Sequence, residues 1–272
     1  NGTNTRYAYD SAGRLTGLTH SKSNGIIIAS YSFTLDGLGN IINSTVTEPF
    51  DAPIFLDESV SYYHNPSNQI TSGGGYSYSY DGNGNLSNMS GTGNMDLNFD
   101  QENRLTSLTG FESAQYTYDA FGNRRKAIRN GEVRKYGIDI NSSMSRVLFE
   151  TDNNGNVINY YVYGLGLVNR VKPNGTTHFY HYNNIGNTIA MTDQNQNVTH
   201  KYSYDPYGNI LEREESDFNP FRFVGQFGVM DENNGLYFMR ARYYDPIAGR
   251  FISQDPLGFN GGDWNLYTYA GN

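Results

Sequence analysis

Tyrosine and other apolar residues alternate with polar residues in short stretches along the chain, and each stretch ends in a turn signal. The best preserved copies are YAYDSAGRL at 7–15, YSYDGNGNL at 78–86 and YSYDPYGNI at 202–210. Residues two apart on a strand share a face, so both rings of Tyr-x-Tyr lie on one side. The Asp can accept backbone N–H bonds, and the Gly three residues later suits positive φ. Each copy therefore predicts an antiparallel β-hairpin.

Weaker copies of the pattern occupy the chain between these three. They begin at Phe33, Tyr62, Leu97, Tyr116, Phe149, Tyr180 and Ala190. Because Gly, Asn and Ser interrupt every stretch of helical spacing, the chain has no convincing helix signal. Internal repeats of this kind predict an all-β array of stacked hairpins. We expect Gly84, Gly122 and Gly208 to have positive φ, and the two tyrosines of each copy to share a sheet face.

Composition narrows the functional classes. The chain has 24 Tyr, no Cys and a net charge of −8 at a pI of about 5.1. The acidic balance argues against a nucleic-acid partner, and the basic cluster Arg124–Arg129 is interpreted as a solvated turn edge. Without Cys, disulfides, thiol catalysis and zinc-thiolate sites are excluded. The longest aliphatic run, at 26–29, is too short to span a bilayer, so no membrane span is expected.

Histidine and tryptophan offer the remaining candidate ligand-binding groups. His178 and His181 are three residues apart, which places them on opposite faces of a strand, and we interpret them as strand-surface residues. We therefore expect neither a metal nor a cofactor. Trp264 could be a sugar platform, but burial against Tyr267 and Tyr269 is the favoured interpretation.

The stretch from 235 to 272, GLYFMRARYYDPIAGRFISQDPLGFNGGDWNLYTYAGN, differs from the repeats before it. A charged segment at 212–217 precedes it and is interpreted as a connector, which places a boundary near Leu211. We predict two domains, a hairpin array at 1–210 and a C-terminal domain at 211–272.

The hairpin copies resemble YD repeats, and the closing stretch resembles the RHS repeat-associated core domain. Rhs polymorphic toxins, the C component of Tc toxins, wall-associated bacterial proteins and teneurins share these elements. The resemblance implies a spiral of antiparallel β-hairpins that forms the wall of a hollow shell and ends in an RHS core plug. It also implies a secreted or cell-surface bacterial protein. Its partners would be the rest of the shell and a C-terminal effector or toxin domain of the parent polypeptide.

The resemblance further implies catalytic roles for Arg242, in RARYYDP, and Asp255, in ISQDPLG. In toxin members an aspartyl-type self-cleavage after the core releases the effector. A second aspartate normally follows in a DPxGL segment, which we expect beyond Asn272. We therefore expect this chain to be a piece of a longer polypeptide that carries an incomplete site. Two interpretations of Arg242 and Asp255 stay open, half of a catalytic device or an ion pair that holds the core.

Two functions follow from this reasoning. The first is a structural encapsulation module, the C-terminal part of a shell that houses a toxic effector. The alternative is a cell-surface repeat protein for adhesion or for binding glycans or proteins, with glycans or a secretion apparatus as further partners. Whether the parent is an autoprotease is left open, and no motif supports an enzyme that acts on external substrates.

Overall fold

The computed structural model describes residues 1–51, 60–110, 112–142 and 144–270. The chain divides into two compact units, the first made of 1–55 with 160–230 and the second of 56–159 with 231–272. Short antiparallel strands dominate both units, and the described helices are single 3₁₀ turns at Gly225–Phe227 and Gly258–Gly261. The predicted all-β hairpin array is confirmed.

The first unit contains a four-stranded sheet and a second run of hairpin strands, each paired antiparallel with its neighbours in chain order. The four-stranded sheet is β1 Asn4–Tyr9, β2 Leu15–Ser21, β3 Ile27–Leu35 and β4 Ile41–Thr47. The second run is β15 Val157–Tyr163, of which 160–163 belong to this unit, followed by β16 Leu167–Val171, β17 Thr177–Tyr182, β18 Thr188–Thr192, β19 Val198–Tyr204 and β20 Ile210–Glu215.

The second unit contains the other hairpin strands and a small C-terminal sheet. Its hairpin strands are β5 Tyr62–His64, β6 Ile70–Gly73, β7 Tyr76–Tyr80, β8 Leu86–Gly91, β9 Asn94–Phe99, β10 Leu105–Gly110, β11 Ala114–Tyr118, β12 Arg124–Arg129, β13 Glu132–Asp139 and β14 Arg146–Thr151. The C-terminal strands are β21 Met230–Asp231, β22 Tyr237–Met239, β23 Arg242–Asp245 and β24 Arg250–Phe251.

The turn between β11 and β12 explains why each repeat closes into a hairpin. Asp119 Oδ1 accepts hydrogen bonds from the backbone N–H groups of Phe121 (3.0 Å) and Asn123 (2.9 Å). Gly122 has φ of 81° and donates its N–H to the Asp119 carbonyl at 3.0 Å. Burial raises the pKa of Asp119, but the N–H groups of Asn123 and Phe121 and the Asn123 side-chain amide together outweigh burial and lower this pKa. The turn is therefore stabilised by a carboxylate that stays ionised.

The same turn recurs where the sequence predicted it. The predicted positive φ is confirmed at Gly84 (82°), Gly122 (81°) and Gly208 (95°). A carboxylate oxygen accepts the N–H groups two and four residues later in the turns that begin at Asp10, Asp36, Asp81, Asp100, Asp152, Asp193 and Asp205.

In each repeat the residue that follows the position of the turn glycine, such as Asn85 after Gly84 or Arg104 after Asn103, can bond one turn to the next. Arg104 donates from Nε to Asp100 Oδ2 at 2.7 Å, within its own turn, and from Nη1 to the carbonyl of Asp119 at 3.3 Å. One turn earlier, the Asn85 amide donates to Asn103 Oδ1 at 2.9 Å. Successive turns along this sheet edge are thus bonded to each other as well as closed internally.

Tyrosines of one copy share a sheet face, as predicted. Tyr202 and Tyr204 stack with ring centroids 6.3 Å apart. Tyr116 packs its ring on Tyr243 at 5.2 Å, and the hydroxyl of Tyr118 lies 3.1 Å from the hydroxyl of the same Tyr243. Because alternate positions reach one face, both rings of a copy can be covered by one partner.

A buried cluster in the first unit joins its two sets of strands. It is formed by side chains of β2 and β3 that pack on β18, namely Leu18, Ile28, Ala29, Tyr31, Phe33, Ile189 and Ala190. In the cross-strand row Tyr7, Leu18, Tyr31 and Val46, the central pair is buried while Tyr7 and Val46 are 48% and 49% exposed. The core of this sheet is therefore narrow and lies under its two middle strands.

The expected connector at 212–217 is wrong for residues 212–215, which belong to β20. Glu214 lies opposite Lys201 of β19 and forms an ion pair with it at 2.7 Å. Backbone pairing with β19 therefore tolerates a charged strand whose side chains are exposed. The boundary between 210 and 211 stays a prediction.

Two glycine substitutions separate the cost of positive φ from the cost of crowding. Gly122→Ala should lower the free energy of unfolding by about 1 kcal/mol, because the added Cβ has open space but disfavours positive φ. Gly208→Ala should cost about 2 kcal/mol or more, since its Cβ would lie 2.7 Å from the Phe223 ring. Urea denaturation measures both values. Equal losses would contradict the role given to Phe223.

Candidate functional site

The small C-terminal sheet is assembled from aromatic cross-strand pairs. Phe238 on β22 faces Tyr243 on β23, with ring centroids 5.2 Å apart. Tyr244 packs against Phe251 on β24 at 5.9 Å and against Tyr269 at 4.5 Å. Such pairs add to the stability gained by burial and fix the orientation of each strand. They set the position of Arg242, the first residue of β23.

Arg242 and Asp255 lie together, as the sequence predicted. Arg242 Nη2 is 3.0 Å from Asp255 Oδ2, and Nη1 donates to the carbonyl of Leu266 at 3.2 Å. The guanidinium carbon lies 3.6 Å from the centroid of the Phe251 ring. Burial lowers the pKa of Arg242, and the negative charge of Asp255 opposes that shift. The guanidinium is therefore held by an ion pair, a carbonyl and an aromatic face.

Backbone groups hold the Asp255 carboxylate in place from the other side. Its Oδ1 accepts the N–H of Leu257 at 2.8 Å, while its own N–H donates to the Leu266 carbonyl at 2.9 Å. A Cβ at Gly261 would lie 3.0 Å from Oδ2, so glycine leaves room beside the oxygen that pairs with Arg242. One oxygen therefore anchors the turn and the other is presented to Arg242.

A cavity of about 390 Å³ lies beside this ion pair. Arg242, Phe251 and Asp255 line it together with a glycine-rich segment at 258–262 and with Asp263 and Tyr269. A single ionised carboxylate with an arginine cannot both activate water and protonate a leaving amine. A second carboxylate in close contact would retain a proton and complete such a pair. The described residues thus place one carboxylate and one arginine beside the cavity, and both interpretations of the pair stay predictions.

The expected burial of Trp264 is wrong. Trp264 is 84% exposed, and its ring lies tilted beside the Phe259 ring with centroids 5.4 Å apart. Other rings pack against the two tyrosines expected to cover Trp264. Tyr267 packs on Tyr80 at 5.9 Å, and Tyr269 packs on Tyr244. The 3₁₀ turn before Trp264 ends at Gly262 with φ of 91°, which redirects the chain.

The basic cluster at 124–129 is not a solvated turn edge, since two of its arginines enclose a carboxylate. Arg124 Nη1 lies 2.7 Å from Glu232 Oε1, and Arg129 Nη2 lies 2.8 Å from Glu232 Oε2. The Phe238 ring centroid is 3.9 Å from the Arg124 guanidinium carbon, and Arg124 also donates to the hydroxyl of Tyr243 at 3.1 Å. This network ties β12 to the C-terminal sheet. The sequence pattern gives no signal for this network, because Glu232 is more than a hundred residues away from both arginines.

His178 and His181 are buried, at 4% and 2% exposure, so their predicted surface location is wrong. Neighbouring strands and the segment after β20 cover them, and a hairpin pattern alone does not reveal such cover. Burial and the charge of Arg170 lower the pKa of His178 to about 4. Arg170 Nη2 lies 3.3 Å from His178 Nδ1, so that nitrogen is the acceptor and the ring is neutral.

His178, His200 and Asp217 offer ligand atoms within 4.8 Å of one another, a spacing that could suit a metal ion. Both carboxylate oxygens of Asp217 already face cations, Arg170 Nη2 at 2.8 Å and Lys172 Nζ at 2.8 Å. Against the effect of burial, His200, Arg170 and Lys172 hold the pKa of Asp217 far below its usual range. A metal ion would have to compete with two fixed positive charges, and the absence of a metal stays a prediction.

The family model of the teneurin YD-shell matches residues 1–272, and the chain therefore belongs to the YD-shell family. The predicted resemblance to YD-repeat and Rhs-type proteins is confirmed. In the described part of the chain, no helix has the length and apolar character needed to cross a membrane.

Curated relatives and solved structures agree with this family. The tRNA nuclease WapA of Bacillus subtilis strain 168 is 38% identical over 251 residues, which cover 88% of this chain and 10% of WapA. The double-stranded DNA deaminase toxin A of Burkholderia cenocepacia strain H111 is 25% identical over 306 residues, which cover 98% of this chain and 20% of that protein. This chain thus spans a small part of these relatives.

A crystal structure of TcdB2–TccC3 matches with a TM-score of 0.64 at 16% identity, over 98% of this chain and 18% of that chain. At this identity the match establishes the fold. The long antiparallel hairpin array of this chain is therefore the fold found in a Tc toxin shell.

Removing the buried carboxylate tests how much the arginine network supports the C-terminal sheet. Glu232→Gln should lower the free energy of unfolding by about 3–5 kcal/mol, because two arginines, one fully buried, lose the carboxylate that neutralises them. Glu214→Gln removes an exposed ion pair with Lys201 and should cost less than about 1 kcal/mol. Urea denaturation of both variants measures the difference. Similar small losses would show that the network contributes little.

Proposed function

We propose that this chain is the C-terminal part of a β-shell wall that encloses a toxic effector domain of the same longer polypeptide, and that the longer protein cleaves itself after the C-terminal sheet. The observation that carries the proposal is the Arg242–Asp255 pair beside a cavity, in a chain of YD hairpins. The names of the relatives, a tRNA nuclease and a double-stranded DNA deaminase toxin, support an effector in the same polypeptide. So does a similar TcdB2–TccC3 structure without its hypervariable C-terminal region, at a TM-score of 0.64.

The proposed chemistry assigns one role to each side chain. Arg242 orients the Asp255 carboxylate through their contact at 3.0 Å. A second carboxylate, supplied by residues after 272, lies close to Asp255 and retains a proton because two adjacent carboxylates resist ionising together. The ionised member takes a proton from water, which attacks the scissile carbonyl, and the protonated member gives its proton to the leaving amine.

The proposal also places the protein and its partners. The protein is secreted or displayed on a bacterial cell surface, and its partners are the effector domain and the remaining shell. A secretion apparatus or cell-surface glycans are further partners in this proposal. The acidic balance, with a net charge of −8, favours a shell that does not itself bind nucleic acid.

Self-cleavage should depend on Asp255 and on residues beyond 272. Purified residues 1–272 should cut neither themselves nor added peptides, whereas a protein extended through the following DPxGL segment should yield two fragments during expression. Asp255→Asn should abolish the cut while preserving the fold, because the amide keeps the shape but cannot titrate. Arg242→Ala should slow the cut and also reduce stability, since Asp255 loses its partner. Electrophoresis and intact-mass measurement detect the fragments.

Asp96→Asn is the matched control, because Asp96 lies on β9, where its carboxylate accepts the exposed amide of Asn88 at 2.8 Å. This variant should be cut like the parent. An extended protein that stays intact, or an Asp255→Asn variant that is cut at the parental rate, would show that the aspartyl assignment is wrong.

A second candidate function is binding of glycans at a cell surface, and one observation favours it. Trp264 is 84% exposed and Phe259 beside it is 64% exposed. Sugar rings stack on exposed aromatic faces of this kind, with neighbouring polar groups to bind their hydroxyls. Asn260 follows Phe259 and Asp263 precedes Trp264 in the sequence, and both side chains carry polar groups of this kind.

Trp264 is the one tryptophan in the chain, so its emission reports on this surface. If the surface binds glycans, titration with soluble chitooligosaccharides should change the emission in a saturable way. Trp264→Ala should then abolish the heat of binding in calorimetry while leaving the thermal unfolding midpoint within about 2 °C, because the side chain is exposed. Emission that does not change with the oligosaccharides would argue against this candidate.

A further inference from the structure

Two buried imidazoles face each other in the first compact unit. His20 on β2 and His181 on β17 are each 2% exposed. Their Nδ1 atoms are 3.4 Å apart, and the rings meet edge to face with centroids 5.2 Å apart. The four-stranded sheet that contains His20 thus contacts the β17–β18 hairpin through a pair of titratable side chains.

The hydrogen bonds of His20 fix where its proton lies. Its Nε2 is 2.7 Å from the carbonyl oxygen of Tyr182, which can only accept, so Nε2 carries the hydrogen. In the neutral ring Nδ1 is then the acceptor. Thr5 Oγ1 at 3.0 Å and His181 Nδ1 at 3.4 Å are the two groups that can donate to it.

The hydrogen bonds of His181 complete the arrangement. With Nδ1 donating to His20, its Nε2 accepts from Thr192 Oγ1 at 3.0 Å. The same Thr192 oxygen accepts from the amide of Asn1 at 3.0 Å. Donors and acceptors therefore match from Asn1 to Tyr182 when both rings are neutral, and an added proton would require Thr5 or Thr192 to turn its hydroxyl from donor to acceptor.

The surroundings of the pair oppose a positive charge. Thr5 from β1, the Tyr182 carbonyl of β17 and Thr192 from β18 face the rings, and in the described ranges no carboxylate contacts either of them. Burial lowers the pKa of His20. Burial and then the charge of His20 lower the pKa of His181 to about 3. A proton on His20 would place two N–H groups opposite each other at Nδ1, whereas a proton on His181 would bind to Nε2 and face the Thr192 hydroxyl.

We propose that the His20–His181 pair is an acid-sensitive contact that fastens the β1–β4 sheet to the β17–β18 hairpin and opens when the surrounding pH falls. The open form exposes both rings, which then bind protons at their ordinary pKa. Because the closed form binds fewer protons, the contact has its full stability above roughly pH 6.5 and weakens as the pH falls towards about 3. The stability of the contact between the β1–β4 sheet and the β17–β18 hairpin therefore depends on pH.

The other buried histidine pair in this unit shows what the first pair lacks. His178 and His200 also meet edge to face, at 5.0 Å, but Asp217 Oδ1 lies 3.2 Å from His200 Nε2. Lys172 and Arg170 also face that carboxylate, and Asp193 is a further charge near His178. A carboxylate next to the ring can stabilise a protonated histidine. Since His178 lies on β17 and His200 on β19, neither belongs to the β1–β4 sheet, and the acid response of that sheet is assigned to His20 and His181.

Hydrogen exchange of residues 1–272 from about pH 7 to about pH 5 tests the proposal, after correction for the intrinsic pH dependence of exchange. The opening constant of amides in β1–β4 should rise about tenfold per pH unit below roughly 6.5 for each proton taken up. His181→Gln should reduce this dependence, because the amide cannot take up a proton and His20 is then the one ring of the pair that can. His64→Gln, which alters an exposed histidine of β5, should leave it unchanged.

A direct titration keeps the proposal testable if His181→Gln does not fold. In the unaltered chain, the C2 protons of His20 and His181 should titrate in NMR spectra with apparent pKa values below about 5. Titration of both rings near 6.5, or β1–β4 opening constants that do not change with pH, would overturn the proposal.

Discussion

The hydrogen bonds from backbone N–H groups to the aspartate carboxylates of the repeat turns, such as those at Asp81, Asp119 and Asp205, are the interaction on which the rest of this structure depends. In the turn at Asp119 the carboxylate accepts two such bonds, and Gly122 supplies the positive φ that lets the chain reverse. The turn fixes the register of the hairpin, and the register decides which tyrosines share a face. Packing on Tyr243 then follows from strand alternation.

Because turns, register and strand alternation are determined by short segments, the sequence could predict the features that depend on them. The hairpins, the positive φ of the turn glycines and the meeting of Arg242 with Asp255 follow from short motifs and from the family resemblance. The burial of His178, the exposure of Trp264 and the enclosure of Glu232 by two arginines do not. Each of these depends on which distant strand covers the residue, and a repeat motif carries no information on that.

Buried charge in the second unit has a structural consequence for the candidate site. Arg124 and Arg129 neutralise Glu232, while Arg242 is held by an ion pair, a carbonyl and the Phe251 ring. Buried pairs of this kind contribute little net stability but make a wrong arrangement costly, because a displaced charge would be left uncompensated. The aromatic pairs of β22–β24 also restrict how these strands can pack against each other. Position at the site is therefore specified by two independent kinds of contact.

The bonds between successive turns restrict how such an array can change during evolution. Asn85 donates to Asn103, and Arg104 donates to the carbonyl of Asp119. The side chains that bond one of these turns to the next therefore differ from turn to turn. The aspartates at 81, 100 and 119 are evenly spaced, which suggests that whole copies could be lost or duplicated without disturbing the strands. A deletion of the middle copy would nevertheless place Asn85 opposite a turn that lacks Asn103. Copies of the repeat are alike in backbone but are not interchangeable units, and recombination between them carries a penalty at every new junction.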